Sequence, residues 1–487
     1  MVRNWKTEAV IIAFMKSASL FLALCLASQQ LAASELPDLG DVSQGAFSAR
    51  DETRVSGEIM RDIYAEPAYY DDPELTDYLN NLGYRLVAAS PENRLSFQFF
   101  VLRDHTLNAF ALPGGFIGVH TGLIEATQNE SELAGVLGHE IAHVTQHHLA
   151  RMIENQNQGI LPSLAALAVA ILAARSNPQV ATAAIATVQA TSIQKQLNFS
   201  RDNEREADRI GIQIMRNAGF DPRAMATFFQ RLQKNSRLYE NNAPAYLQTH
   251  PLTSERIADM QNRVASMPVK QVADGLEFQL IRAKLLAGEG SPEAAVKRFT
   301  EAIRDTRYNN LAAERYGLVA ALLRARQFDR AEQELNQLNQ SGASSPIIAM
   351  LGARLKQEAG DLNTTLARYQ AGRERFPGYR PLLYADANAL LQAGKVKAAL
   401  TLVTEHLTLY PDDYHLYQLQ SRAYAMQGKD FLRHRAQAEA YVRQGNLDAA
   451  IEQLRLSLKS HDGDFYQLSI VEARLRYLVT LNKPSKP

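Results

Sequence analysis

Residues 129–148 read NESELAGVLGHEIAHVTQHH, and the rest of the chain can be ordered around this stretch. Asn129 to Ser131 are good helix N-cap types. Leu133, Val136, Leu137, Ile141 and Val144 then recur at helical spacing, which predicts a helix of about twenty residues with one buried side. His139 and His143 are four apart, so both imidazoles stand on one helix face, where they can share a metal ion. Glu140 follows the first histidine directly and can act as a general base on water. His147 and His148 continue along the same predicted helix and read as surface or outer-layer histidines.

A catalytic zinc takes three protein ligands and keeps one position open. One subclass of such sites supplies a third histidine six residues after the second, following a glycine. Here those positions hold Leu149 and Gln146, which excludes it. The better source lies in residues 200–208, SRDNEREAD, where Glu204 and Asp208 form an i, i+4 pair on a second helix. One carboxylate can bind the metal while the other holds a ligand histidine by a hydrogen bond. Glu206 points to another face and reads as a solvent or salt-bridge residue.

Working outward, residues 74–90 predict an amphipathic helix on Leu75, Tyr78, Leu79, Leu82 and Leu86. Leu95 to Leu102 predict a strand. Ala109 to Val119 predict a second extended stretch, turned at Pro113-Gly114-Gly115. Residues 160–190 are apolar and Ala-rich, broken at Asn177-Pro178. They read as a packed helical hairpin, with a flap or peripheral membrane contact as the alternative. Helix is expected near 198–217 and on to about 265, with a linker over 266–272. Beyond 275 a repeat appears. Gly360, Gly394 and Gly428 are 34 apart, as are Pro377 and Pro411, with Phe328, Leu362 and Val396 keeping the same step. This period resembles the tetratricopeptide repeat, although Thr365 stands where alanine is expected and the pattern fades after Gly428.

The chain resembles the family-48 zinc metallopeptidases. The pieces that carry the resemblance are Asn108-Ala109-Phe110 with Pro113-Gly114-Gly115, the His-Glu-x-x-His helix, Glu204 with Asp208, and Thr249-His250-Pro251 with Arg256. The repeats and an exported start make it similar to the periplasmic branch that assists barrel assembly at the outer membrane of Gram-negative bacteria. The implied fold is mainly α: an α+β zincin domain of the gluzincin type with a small sheet over 35–265, then an all-α tetratricopeptide solenoid over 273–487. The resemblance implies one zinc ion per chain, held by His139, His143 and Glu204, with Glu140 as general base and Asp208 orienting a ligand. Asn108, Ala109, Phe110, Gly114 and Gly115 would belong to an edge strand that pairs with substrate. His250 is expected at the metal's open position, as a removable fourth ligand or a donor to the reacting carbonyl, and Arg256 as a salt-bridge anchor for its loop. Implied partners are outer-membrane barrel proteins as clients and the barrel assembly machinery, reached through the repeats. A chaperone or assembly scaffold with a latent, plugged protease is the rival reading.

Composition narrows the rest. Of 487 residues, 46% are hydrophobic and 21% charged, which excludes a disordered or multi-spanning chain. With 52 basic and 52 acidic side chains there is no bulk charge to attract nucleic acid. Residues 1–34 start basic, continue apolar and end in small residues, the pattern of a secretory signal, with Met1 or Met15 as its start. Its removal takes away Cys25, the single cysteine, and leaves a thiol-free chain suited to a periplasm.

Overall fold

A computed structural model describes residues 49–92, 95–149, 151, 201–236, 245–269 and 272–482. The signal segment, Cys25 and the apolar 160–190 segment lie outside the described residues.

Helix α1 (Ala49–Ala65) leads to α2 (Pro73–Ala88). Asp72 caps α2 by accepting from the Glu74 and Leu75 N–H groups, and Pro73 sits in the first turn, where its missing N–H costs nothing. Strands β1 (Gln98–Leu102), β2 (Ala109–Leu112) and β3 (Phe116–His120) form one sheet in the order β1-β3-β2. β3 runs parallel to β1, with Gln98 opposite Phe116, and antiparallel to β2, with Ala109 opposite Val119. The β2–β3 turn needs two left-handed residues, and Gly114 (φ 82°) and Gly115 (φ 78°) supply them. Gly114 and Gly115 therefore belong to the turn and not to the edge strand, and the Gly115 carbonyl accepts from Gln98 on the β1 side.

After α3 (Thr121–Ala126) comes α4 (Glu130–Thr145), capped by Asn129 Oδ1 on the Glu132 N–H at 2.9 Å. It is shorter than its pattern implied. Gln146 closes it, and His147 adopts a left-handed φ of 51°, so His147 and His148 leave the helix axis. Helices α5 (Arg201–Ala218), α6 (Arg223–Ser236), α7 (Ala245–Thr249) and α8 (Ser254–Ala265) complete this part. α5 lies close along α4 because glycines meet there: a Cβ on Gly211 would stand 3.1 Å from the His139 backbone nitrogen. Glu204, Asp208 and Gly211 share that face of α5, so the close approach carries both carboxylates to the histidines.

The repeat region is six helix pairs among the described residues. They are α9 (Leu276–Gly288) with α10 (Pro292–Arg304), α11 (Leu311–Arg324) with α12 (Phe328–Gln340), and α13 (Pro346–Glu358) with α14 (Leu362–Arg375). Then follow α15 (Arg380–Gln392) with α16 (Val396–Leu409), α17 (Tyr414–Met426) with α18 (Asp430–Arg443), and α19 (Leu447–Lys459) with α20 (Phe465–Leu481). The repeating glycines sit inside the pairs, at left-handed turns: Gly360, Gly394 and Gly428 have φ of 84°, 69° and 68°. Arg326 occupies the equivalent place one period earlier, with φ 56°. Thr365 fits the alanine site because its buried hydroxyl donates to the Asp361 carbonyl at 2.7 Å.

The described residues just after α8 pack back on α6. Arg223 donates to the Met267 carbonyl at 2.6 Å and to the Pro268 carbonyl at 3.3 Å. One apolar core runs from Leu75 in α2 to Leu355 in α13. Lys284 of α9 reaches Asp72 at 2.7 Å and Glu74 at 2.6 Å, and the Tyr414 hydroxyl donates to Asp71 at 3.0 Å. The repeats thus curl against α1 and α2. No described helix is long and apolar enough to cross a membrane.

Candidate metal centre

Four side chains from three elements meet beneath β2. α4 gives His139 and His143, α5 gives Glu204, and the loop between α7 and α8 gives His250. All four are buried, and one ligand atom from each lies within 4.8 Å of the others. The two imidazole Nε2 atoms of α4 are 3.0 Å apart. Glu204 lies 3.5 Å from His139 Nε2 and 3.4 Å from His143 Nε2. His250 Nδ1 is 3.0 Å from Glu204 Oε1 and 3.4 Å from His139 Nε2. Pro251 and the Thr253 cap of α8 fix the chain just after it, and Tyr246 stacks on its ring at 4.7 Å.

Each α4 histidine has its other nitrogen held from outside. His139 Nδ1 is 3.0 Å from Asp208 Oδ1. Arg256 grips the same carboxylate with two bonds of 2.8 Å, and its Nη1 stands 2.6 Å from Glu204 Oε2. Burial pushes the Asp208 carboxyl up, but Arg256 and His139 outweigh it and leave it below the ordinary carboxylate range. Arg256 is buried and is no surface charge.

The hold on His143 was not legible in the sequence. His148 is fully buried, with Nδ1 2.9 Å from His143 Nδ1 and Nε2 3.1 Å from Glu206 Oε2. Burial lowers the His148 pKa to about 4 against the pull of Glu206, so its ring is neutral. A carboxylate only accepts, so His148 donates from Nε2 and accepts at Nδ1 from His143. That leaves the His143 Nε2 lone pair facing the cluster. His148 is therefore not a surface residue, and Glu206, though bridged to Arg151 at 3.3 Å and Arg209 at 3.5 Å, also serves this chain. The break at Gln146 turns His148 inward, and side-chain periodicity does not reveal it.

Glu140 is fully buried and neither carboxylate oxygen has a hydrogen-bond partner. Burial raises its pKa, and the imidazoles of His250 and His139 pull the other way. His250 Nε2 is 3.6 Å from Glu140 Oε1. Ala111 lies on β2, whose hydrogen bonding alternates. The His120 N–H donates to Asn108 O at 3.0 Å, so Asn108, Phe110 and Leu112 bond towards β3. Ala109 and Ala111 then turn their N–H and C=O groups to the free edge. Leu107 is closed off, since its carbonyl accepts from Tyr246 at 3.1 Å.

The chain is similar to known peptidases. Residues 73–264 match peptidase family M48. The beta-barrel assembly-enhancing protease of Escherichia coli is 31% identical over 460 residues, 93% of this chain and 93% of that one. The protein of the same name from Yersinia pestis is 34% identical over 422 residues, 85% and 86% of the two chains. The mitochondrial metalloendopeptidase OMA1 of Schizosaccharomyces pombe is 30% identical over 227 residues, 45% of this chain and 63% of that.

Proposed function

The chain belongs to the M48 peptidases, in the family of the beta-barrel assembly-enhancing proteases, and from that premise we propose that it is an exported, periplasmic zinc metalloendopeptidase. It degrades misfolded or stalled outer-membrane barrel proteins and assists their assembly, with the repeats engaging the barrel assembly machinery. The buried meeting of His139, His143, Glu204 and His250 beside Glu140 is the observation that carries the peptidase reading.

A zinc ion fits these residues. Imidazole and carboxylate donors suit it, their atoms converge in a buried site, and the outer nitrogen of each α4 histidine is already held. When bound, zinc polarises the scissile carbonyl and lowers the pKa of water towards roughly 7. His139, His143 and Glu204 would hold it. Glu140 takes a proton from the attacking water and delivers it to the leaving amine nitrogen. The backbone groups of Ala109 and Ala111 pair with an extended client strand and set its carbonyl beside Glu140.

His250 we assign as a removable fourth ligand, since its Nδ1 sits with the metal-facing atoms. In that position it competes with the substrate. His250→Ala should keep its zinc, change the metal's coordination and cleave casein about tenfold faster, the effect of a 1.4 kcal/mol relief. Unchanged cleavage with unchanged metal geometry by X-ray absorption contradicts the assignment.

The scaffold reading is favoured by the stack of repeats and by a site that His250 closes. Glu140→Gln separates the two in cells. If hydrolysis is the main work, this variant fails to restore outer-membrane assembly in a deletion strain. Full rescue means that binding through the repeats dominates.

A further inference from the structure

The described residues bring a second set of metal-ligating side chains together, and it shares no member with the histidine cluster. His105 comes from the loop between β1 and β2, Glu125 from α3, and Glu289 from the turn between α9 and α10. One ligand atom from each lies within 4.8 Å of the others. His105 Nδ1 is 3.4 Å from Glu289 Oε1 and 3.8 Å from Glu125 Oε2. Donors bonded to one tetrahedral zinc ion at roughly 2.0–2.1 Å stand about 3.4 Å apart, so these atoms need little movement to share one.

Each donor is carried on fixed backbone. The Asp104 carbonyl accepts from the Gly122 N–H at 2.9 Å and from the Thr121 hydroxyl at 3.0 Å, and its side chain accepts from the Thr106 N–H at 2.7 Å. A Cβ on Gly122 would stand 2.2 Å from the His105 carbonyl oxygen, so a glycine is needed for the loop to lie there. The Glu125 carbonyl accepts from Arg282 Nε at 3.1 Å. Arg324 of α11 donates to the Glu289 carbonyl at 3.4 Å and to the Gly290 carbonyl at 3.0 Å.

The two carboxylates are a poor pair by themselves. Burial and the neighbouring Glu289 push the Glu125 carboxyl up to about 8, and the charges of Arg282 and Arg298 offset this only in part. Near neutral pH the pair therefore takes up a proton or a cation. A shared proton serves the carboxylates and leaves the imidazole aside. A divalent ion serves both carboxylates and takes the imidazole too, and one nitrogen with two carboxylate oxygens is a donor set that suits zinc. The His105 side chain is 74% exposed, so water can complete the coordination.

We propose that His105, Glu125 and Glu289 form a second zinc site, which joins the loop leading into β2 to the first turn of the repeats. With three protein donors and an open side, it holds its ion more weakly than the buried centre and fills only when zinc is added.

The test is equilibrium dialysis of the untagged full-length chain against zinc alone. The native chain should take up one zinc beyond the metal it carries as purified, with a Kd on the order of 1 μM. His105→Ala and Glu289→Gln change solvent-accessible side chains. Each should weaken this uptake at least about a hundredfold, the upper range for losing even an outer partner of a metal. The metal carried as purified and the circular dichroism spectrum should stay as in the native chain. No added uptake at free zinc about a hundredfold above that Kd overturns the proposal. So does an uptake that both variants keep. Either result leaves His105 as an ion-pair residue of Glu125 and Glu289. The count starts from the metal carried as purified, so a failure here leaves the peptidase reading untouched.

Discussion

Glu140→Gln should leave a folded chain that retains its metal and cleaves casein about 10³-fold more slowly, within the range that general acid–base groups contribute. The expectation follows from placement. Glu140 lies one residue beyond His139, fully buried, with no hydrogen bond that would explain a carboxylate there structurally. Desolvating such a group without a partner costs several kcal/mol, which structure alone does not return. Glutamine has the same shape but takes no proton from water, so stability and metal content should hold while hydrolysis goes. Activity within tenfold of the native chain would remove Glu140 from the mechanism.

The second large effect concerns Arg256. It is buried, binds Asp208 through two parallel bonds, stands 2.6 Å from Glu204, and donates to the Pro251 carbonyl at 2.9 Å. One guanidinium thus fixes the carboxylate that holds His139, a second carboxylate of the cluster, and the loop that carries His250. Arg256→Ala leaves two buried carboxylates without their cation, a loss of about 3–5 kcal/mol. In the metal-stripped protein the first thermal transition should fall by about 10 °C. Lysine should not restore it, because a point charge cannot replace the planar fork. A transition unchanged in Arg256→Ala would mean that the carboxylates are compensated elsewhere.

Much of the site was legible because it follows helix periodicity. The i, i+4 spacing of His139 with His143 and of Glu204 with Asp208 puts each pair on one face, and the Asn129 cap marks where α4 begins. What periodicity could not reveal lies where helices end. His148 reaches His143 only because α4 closes at Gln146 and the next residue turns left-handed. The glycine period announced the helix pairs, yet Arg326 adopts the same left-handed turn without glycine, so the first pairs were harder to read than the later ones. The docking of the repeats on α1 and α2 depends on contacts such as Lys284 with Asp72 and Tyr414 with Asp71, between residues more than two hundred positions apart, which no local pattern encodes.

The central claim is that His139, His143 and Glu204 hold one catalytic zinc ion. Elemental analysis of the purified chain, set beside His139→Ala and Glu204→Ala, tests it most directly. The account predicts one zinc per native chain and a loss of zinc together with casein cleavage in both variants. A native chain that cleaves casein without metal, or variants that keep a full zinc equivalent, would contradict it.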